Sequence, residues 1–401
     1  MFRCESGTLT AAARRRCELG YIARRVVARG ADVPSLNPGD RGYDCAIMSA
    51  LSSPLLLLIF LACAAAIWVA GVKLSDTTDV LSQRWHLGEA LGGVLLLAVA
   101  TNLPEIAITA SAALAHQLDV AVGNILGGIA LQTVVLVALD AAGVRPRAPL
   151  TYLAASLTLL LEGALVVALL LLVVMSTQMP SDVIAWRMTP GVVLIAVLWA
   201  IGLLLLRRAG RSLPWHEAGD APGGQDRPAG HSTATKEDHA TRRGVGTGRT
   251  ALIFAGAAVV TLAAGVCIER SGEELFGRWG MSGVVFGATV LAAATSLPEL
   301  STGLTSTRMG DYKLAVSDIF GGNAFLPVLF LLATLLSGSS VLPRAHNTDI
   351  YLTALGGVLT LVYMTGLVFR PRRQWLRMGP DSLTVLVVYV LGVVGLALIP
   401  T

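Results

Sequence analysis

Two glutamates lie inside long apolar stretches of the chain, each at the end of the pattern Thr-x-Leu-Pro-Glu, at residues 101–105 and 295–299. Residues four apart share one face of a helix, so each pattern is expected to place a hydroxyl beside a carboxylate. A charged side chain among apolar membrane residues is costly, which makes it a functional hypothesis by default. Hard cations prefer oxygen ligands of these kinds. We therefore interpret Glu105 and Glu299 as the centre of a cation site.

The proline in each pattern predicts a further ligand. Pro104 and Pro298 have no backbone N–H, so the carbonyl groups four residues earlier, at Ala100 and Ala294, lack their helical donor. A proline inside a helical segment also kinks the helix. We therefore expect a kinked helix in each copy that presents a free carbonyl next to its threonine and glutamate.

More polar side chains accompany the two patterns. They adjoin the patterns or lie on the apolar segment that follows: Thr101, Thr295, Asn102, Ser296, Asn124, Gln132, Asp318 and Asn323. Asp318 is a third carboxylate in an apolar stretch, and it requires a cation, a proton or a hydrogen-bond network. We predict the two threonines and Ser296 as ligands, with Asn102 and Gln132 beside them as sources of amide oxygen atoms. Asp318 and Asn124 are predicted as secondary participants.

A structural interpretation competes with the ligand interpretation. A buried glutamate can be protonated and can hydrogen-bond across helices as a neutral group. Two glutamates at matching positions favour the ligand interpretation. Glu162 has no matching partner, so a structural role is at least as good an explanation for it. The glycines at 123, 127, 128, 321 and 322 are interpreted as packing residues, because they let helices approach closely.

The two patterns belong to an internal repeat. GGVLLLAVATNLPEIAITA at 92–110 is echoed by FGATVLAAATSLPELSTGL at 286–304, and AVGNILGGIA at 121–130 by AVSDIFGGNA at 315–324. Both matches have the same offset of 194 residues and contain no gap. Pairing of proline with proline and glutamate with glutamate goes beyond shared hydrophobicity, so the sequence indicates a duplication.

The composition predicts an all-α membrane protein. Hydrophobic residues make up 54% of the 401 residues and charged residues only 14%, which excludes an ordinary soluble domain. The apolar runs have the length of membrane helices, and no barrel-like strands appear. Hydropathy predicts ten spans, at 54–72, 87–115, 119–139, 150–175, 190–207, 250–268, 282–306, 314–337, 350–369 and 383–400.

The ten spans divide into two halves with five helices each. The predicted segments are a poorly structured basic extension at 1–47, a first half at 48–207, a flexible linker at 208–249 and a second half at 250–401, with the repeats at about 88–133 and 282–327. Because five is odd, the second half enters the membrane from the opposite side, so the halves are inverted repeats. Transporters built in this way bind their substrate near the midplane, where the repeats meet.

The distribution of basic residues predicts the orientation. If the linker is cytoplasmic, 18 Lys and Arg lie in inside loops and four in outside loops, which places both termini outside in an inner (plasma) membrane. Residues 1–47 carry the other eight arginines and disagree with this orientation. Two explanations stay open: a start of translation at Met48, or a genuine basic tail that crosses the membrane.

The patterns resemble those of the cation/calcium exchanger superfamily, whose two repeats carry a G-T-S-L-P-E-like segment followed by a G-N-x-x-G-S-N-like segment. Here these read A-T-N-L-P-E with G-N-I-L-G-G-I, and A-T-S-L-P-E with S-D-I-F-G-G-N. The resemblance implies ten helices in inverted repeats, the two motif glutamates as principal ligands, and antiport by alternating access. Gly128, Gly322, Ile129 and Leu326 replace oxygen-bearing residues of the family, which puts ion selectivity in question.

The sequence therefore predicts a secondary active cation antiporter, most simply one that exchanges calcium for sodium or protons. A sodium/proton or other monovalent cation exchanger is the alternative, and a cation channel is a further one. An intramembrane enzyme is disfavoured, because the sequence contains no H-E-x-x-H, no G-x-S-x-G and no paired membrane aspartates. Inorganic cations and the lipid bilayer are the expected partners, with no cofactor and no nucleic acid; the sequence leaves the oligomeric state open.

Overall fold

The computed structural model describes residues 48–85, 94–144, 148–210, 231–242 and 244–399. The described helices are α1 Ser53–Arg84, α2 Val94–Thr101, α3 Leu103–Leu114, α4 Leu118–Ala138, α5 Leu150–Ala154, α6 Leu157–Thr177, α7 Pro190–Ala209, α8 His231–Arg242, α9 Thr247–Arg278, α10 Gly283–Phe286, α11 Ala292–Thr295, α12 Leu297–Arg308, α13 Tyr312–Phe325, α14 Leu329–Ser337, α15 Asn347–Phe369 and α16 Pro380–Leu398. Outside helices and turns, the described residues form only two isolated β-bridges. The predicted basic extension at 1–47 lies outside the described residues.

The chain divides into two compact units, Met1–Leu56 and Leu57–Thr401. In the first unit the described residues, 48–56, form a helical turn and the start of α1. The second unit contains all the other described helices, and every contact discussed below lies within it.

Long apolar helices confirm the predicted all-α membrane fold. In the described ranges, eight are long and apolar enough to cross a membrane, and the bent pair Gly283–Thr295 and Leu297–Arg308 brings the number to nine. The predicted second span, 87–115, appears as the shorter helices α2 and α3 and begins outside the described residues. The number of ten spans therefore stays a prediction.

Both motif helices are broken at the same place in the repeat. Asn102 separates α2 from α3 with φ −85° and ψ 13°, and Ser296 separates α11 from α12 with φ −80° and ψ 5°. Pro104 and Pro298 then occupy the second position of the new helices, where a missing N–H costs nothing. At Ser296 the two helices meet at a bend of 42°. The kink expected at each proline is thus a full break two residues before it.

The duplication includes the first helix of each half. Helices α1 and α9 both contain 32 residues, and their boundaries differ by the same 194 residues that relate the motifs. The same offset relates both ends of α3 and α12. The repeat therefore extends beyond the segments that can be recognised from sequence identity.

Reciprocal contacts relate the two halves by an approximate twofold axis. Gly71 on α1 lies against Pro298 in the second motif, and its counterpart Gly265 on α9 lies against Pro104 in the first. Each first helix thus packs on the motif of the other half. Contacts that recur with the partners exchanged are what a twofold axis between the halves requires.

Helix α4 forms the centre of the fold. Sixteen of its 21 residues are buried, which is typical of a helix surrounded by other helices. Gly123 and Gly127 allow close packing, since a Cβ on Gly123 would lie 2.7 Å from the Val284 carbonyl oxygen and one on Gly127 would overlap the backbone of Ala288. Beside them, residues Gly287–Leu291 form a π-helical turn between α10 and α11, a local widening that is frequent at functional sites.

The predicted flexible linker contains an ordered helix. Residues 211–230 and 243 lie outside the described residues, but α8 covers His231–Arg242. Helices α1 and α9 also extend further than the predicted spans, to Arg84 and from Thr247. Composition alone suggested flexibility, whereas ion pairs between α8 and α1 stabilise both segments.

Candidate cation site

Glu105 and Glu299 lie in the first turns of α3 and α12, immediately after the helix breaks. Both side chains are 0% exposed. Backbone N–H groups at a helix start have no partner within the helix, and the helix dipole places partial positive charge there. The fold therefore provides each buried carboxylate with a favourable local potential.

The two glutamates face the threonines of the opposite halves. The Glu105 carboxylate lies beside the Thr295 hydroxyl, and the Glu299 carboxylate lies beside the Thr101 hydroxyl. The sequence spacing predicts instead that each glutamate shares a face with the threonine of its own motif. That spacing assumes a continuous helix, but the chain breaks between the two residues. The candidate ligand pairs therefore form across the twofold axis.

The threonine hydroxyls present lone pairs to this site. Thr101 donates its proton to the Leu97 carbonyl oxygen over 3.0 Å, and Thr295 donates to the Ala292 carbonyl oxygen over 3.2 Å. Among the described residues, neither glutamate oxygen pair has a hydrogen-bond partner of standard length and angle. Hydroxyl and carboxylate oxygens thus converge as acceptors, an arrangement that fits a cation or protons on the carboxylates.

Asn102 and Gln132 lie together beside these groups. Gln132 Nε2 donates to Asn102 Oδ1 over 3.3 Å, and Asn102 Nδ2 donates to the Ala98 carbonyl oxygen over 2.7 Å. Both side chains approach Gly322, and Gln132 Oε1 has no hydrogen-bond partner in the described part of the chain. The absence of a side chain at Gly322 therefore makes room for the two amides.

The other predicted ligands are also buried, but they differ in their contacts. Asp318 and Asn124 occupy matching repeat positions, and both side chains lack a hydrogen-bond partner within the described ranges. The negative charges of Glu105 and Asp318 both act on Glu299. Ser296 donates to the Ala292 carbonyl oxygen over 2.8 Å. Asp318 thus belongs to the same charged region as the glutamates, while a contact of Asn124 with them stays a prediction.

The backbone ligands complete the predicted set, which does not include Glu162. Ala100 and Ala294 are buried, and their carbonyl groups lack a proline N–H as partner. Glu162 accepts a hydrogen bond from the Ser317 hydroxyl over 2.9 Å. This bond supports the structural interpretation of Glu162. It joins α6 to α13 over 155 residues of sequence, so the sequence alone could not predict it.

The site contains few carboxylates. Among the described residues, no three His, Cys, Asp or Glu side chains are close enough together to hold one metal ion. The candidate ligand set is two carboxylates with hydroxyl and carbonyl oxygens. Sequence reasoning missed the ion pair between Lys236 Nζ and Asp79 Oδ2, which lie 2.8 Å apart. The repeat offset was a usable signal for Asp79, since it matches Glu273.

The family comparison assigns this architecture. The sodium/calcium exchanger protein family matches residues 55–208 and 249–398, which is most of the chain. The chain belongs to that family. It is therefore a multi-pass membrane protein and a cation exchanger rather than an enzyme, and the predicted resemblance is confirmed.

Several known proteins are similar to this exchanger. Inner membrane protein YrbG of Escherichia coli is 25% identical over 69% of this chain and 78% of its own length. The putative antiporter CaxA of Alkalimonas amylolytica is 24% identical over 71% of this chain and 82% of its own length. The structure of native YfkE has a TM-score of 0.56 at 13% identity, covering 88% of this chain and 100% of that one. A structure of the sodium-calcium exchanger NCX_Mj has a TM-score of 0.52 at 15% identity, covering 86% and 99%. The YfkE and NCX_Mj structures therefore have the same fold as this chain.

Proposed function

We propose that this exchanger carries calcium in one direction and sodium or protons in the other, at a site centred on Glu105 and Glu299. The observation that carries the proposal is the pair of buried carboxylates that face the opposite threonines across the twofold axis. Thr101, Thr295 and Ser296 and the carbonyl groups of Ala100 and Ala294 complete the proposed shell. Calcium is the leading candidate because two carboxylates balance its charge.

The cost of a bare carboxylate explains the coupling. Two ionised glutamates in a low-dielectric interior repel each other and lose hydration, so the protein cannot readily change its orientation while both are uncompensated. One divalent ion neutralises both, and so do two monovalent ions or two protons. Each passage of calcium is therefore followed by a return passage of its replacements.

The proposed location is the inner (plasma) membrane, with the linker in the cytoplasm and both termini outside. The support is the excess of basic residues in the linker and in the loops on its side. A glutamate-specific protease then cleaves the linker in everted vesicles and spares it in intact spheroplasts. Cleavage in spheroplasts alone contradicts this orientation.

Ion flux in liposomes tests the proposed function. Purified protein is reconstituted, loaded with sodium or with acidic buffer, and diluted into labelled calcium without the loaded ion. We expect calcium uptake that stops when the sodium or proton gradient is dissipated with an ionophore. Sodium movement driven by protons, with no calcium uptake under either gradient, instead identifies the monovalent exchanger. Flux that continues without any gradient identifies a channel.

A further inference from the structure

Two arginines of the loop between α15 and α16 lie on one tyrosine of α5. Arg370 Nη2 donates to the Tyr152 carbonyl oxygen over 3.0 Å, and Arg372 Nε donates to the Tyr152 hydroxyl over 3.1 Å. Both guanidinium carbons lie 5.6 Å from the centre of the Tyr152 ring. An aromatic ring attracts a cation placed over its face. Tyr152 therefore holds two positive groups close together.

The whole loop is basic. Residues 370–377 read Arg-Pro-Arg-Arg-Gln-Trp-Leu-Arg, with four arginines and no acidic residue. Arg372, Arg373 and Arg377 are exposed. Like charges repel, so a group of arginines is stabilised when an anion lies among them. Guanidinium suits phosphate in particular, because its N–H groups donate in pairs to phosphate oxygens. The loop thus has the chemistry of a phosphate-binding surface.

Exposed apolar side chains accompany the arginines. The loop joins two helices that are each long and apolar enough to cross a membrane, so it lies at the membrane surface. Phe369 is 79% exposed, Trp375 57% and Leu376 80%. Tryptophan is enriched at the level of the lipid headgroups, where arginine also extends its charged end into the polar layer. Basic and apolar groups side by side fit a phospholipid, whereas a free phosphate offers nothing to the apolar side chains.

A strained hairpin presents this mixed surface. Trp375 and Met378 exchange two backbone hydrogen bonds, of 2.8 and 2.9 Å. Between them, Leu376 has φ 52° and Arg377 has φ 68°. Two-residue turns with positive φ at both positions ordinarily contain Asn, Asp or Gly, because bulky side chains are strained there. A bulky apolar residue and an arginine at this tip favour a functional reason for the strain.

The first half contains a matching hairpin with a different charge. Ala185 and Met188 exchange the same two backbone bonds, and Trp186 and Arg187 at the tip have φ 50° and 60°. Arg187 Nη2 donates to a backbone carbonyl oxygen at the end of α14 over 2.9 Å. The segment between α6 and α7 contains no other basic residue. The group of arginines is therefore particular to the second hairpin and is not required by the hairpin fold.

We propose that residues 370–377 bind an anionic phospholipid, with the arginines at its headgroup phosphate and with Trp375 and Leu376 against its acyl chains. A phosphatidylcholine headgroup brings its own positive charge, whereas phosphatidylglycerol has a net negative charge that offsets part of the repulsion among the arginines. Because Arg370 and Arg372 already contact Tyr152, the bound lipid also joins the loop to α5.

Quenching of Trp375 fluorescence tests this site. Full-length protein is reconstituted in mixtures of phosphatidylglycerol and phosphatidylcholine, and the acyl chains of one lipid or the other are brominated. Bromine quenches nearby tryptophan, and the quenching that is missing from Trp375→Phe belongs to Trp375. We expect phosphatidylglycerol to exceed its bulk share at Trp375 at least about fivefold, the factor for one arginine at an anionic surface. Arg373→Gln, which leaves the Tyr152 contacts in place, lowers this preference, and Arg372→Gln with Arg373→Gln removes it.

Two controls separate this site from general attraction to the bilayer. Arg308→Gln removes an exposed arginine elsewhere and keeps the preference. Trp186 of the first hairpin, measured against Trp186→Phe, has no preference for phosphatidylglycerol. Equal shares of the two lipids at Trp375, or a preference that survives in the Arg372→Gln, Arg373→Gln double variant, overturns the proposal. Loss of the preference on adding inorganic phosphate at constant ionic strength also overturns it and identifies a site for free phosphate.

Discussion

Replacing either central glutamate by glutamine is expected to abolish gradient-driven calcium uptake. Glu105→Gln and Glu299→Gln keep the size of the side chain and remove one of the two charges that balance the ion. Loss of one partner from a buried charge pair costs about 2–5 kcal/mol, which corresponds to a decrease of at least about 30-fold. Initial rates of labelled calcium uptake in liposomes measure the effect, with protein density checked on the same vesicles.

Glu162→Gln provides the matched control for this prediction. Glu162 is also a glutamate within a membrane helix, but its Oε1 accepts a hydrogen bond from Ser317, and a glutamine carbonyl oxygen can accept the same bond. We expect uptake within about twofold of wild type, since replacing a hydrogen-bond acceptor by a similar one changes little free energy. If Glu162→Gln is as damaging as the two motif variants, loss of charge in the membrane explains the result and the assigned site does not.

Gly127→Ala is expected to have the largest effect on stability. The added Cβ overlaps the backbone of Ala288, where the π-helical turn packs on α4, and a backbone atom cannot move away by a change of rotamer. Overpacking of a tight interior costs about 1–3 kcal/mol, and a clash with backbone belongs at the upper end. Thermal unfolding of the detergent-purified protein, followed by loss of the monodisperse peak in size-exclusion chromatography, measures the shift.

Gly256→Ala is the corresponding control on α9. Nothing lies within 4 Å of a Cβ at this position, and alanine favours a helix over glycine by about 1 kcal/mol. We expect unchanged or slightly higher thermal stability. A Gly127→Ala protein as stable as Gly256→Ala contradicts the close packing of α4 on the π-helical turn.

The helix breaks and the repeat could be predicted from sequence because their causes are local. A Leu-Pro-Glu segment supplies proline for the first turn of a helix and glutamate for its positive end, and both copies carry the same signal. The offset of 194 residues then identifies the duplication, from the motifs through to α1 and α9. In addition, the apolar composition predicts that the fold is an all-α membrane fold.

The ligand pairing could not be predicted in the same way. Whether Glu105 faces Thr101 or Thr295 depends on how two halves of the chain pack, and hydroxyl spacing along one helix contains no information about the other half. Helix α8 illustrates the same limit, since its segment is polar and its contacts with α1 join residues about 157 positions apart. Such an ion pair depends on tertiary structure, which outweighs local composition.

Labelled-calcium exchange in liposomes is the most direct test of obligatory exchange at the glutamate pair. Labelled calcium is supplied outside, while the inside contains calcium, sodium or acidic buffer, or else choline at alkaline pH. We predict rapid entry of label with calcium inside and with sodium or acidic buffer inside, whichever supplies the counter-ion, and almost none with choline, because the ionised glutamates do not return without a cation or protons. Equal entry of label with choline inside contradicts the proposed exchange mechanism.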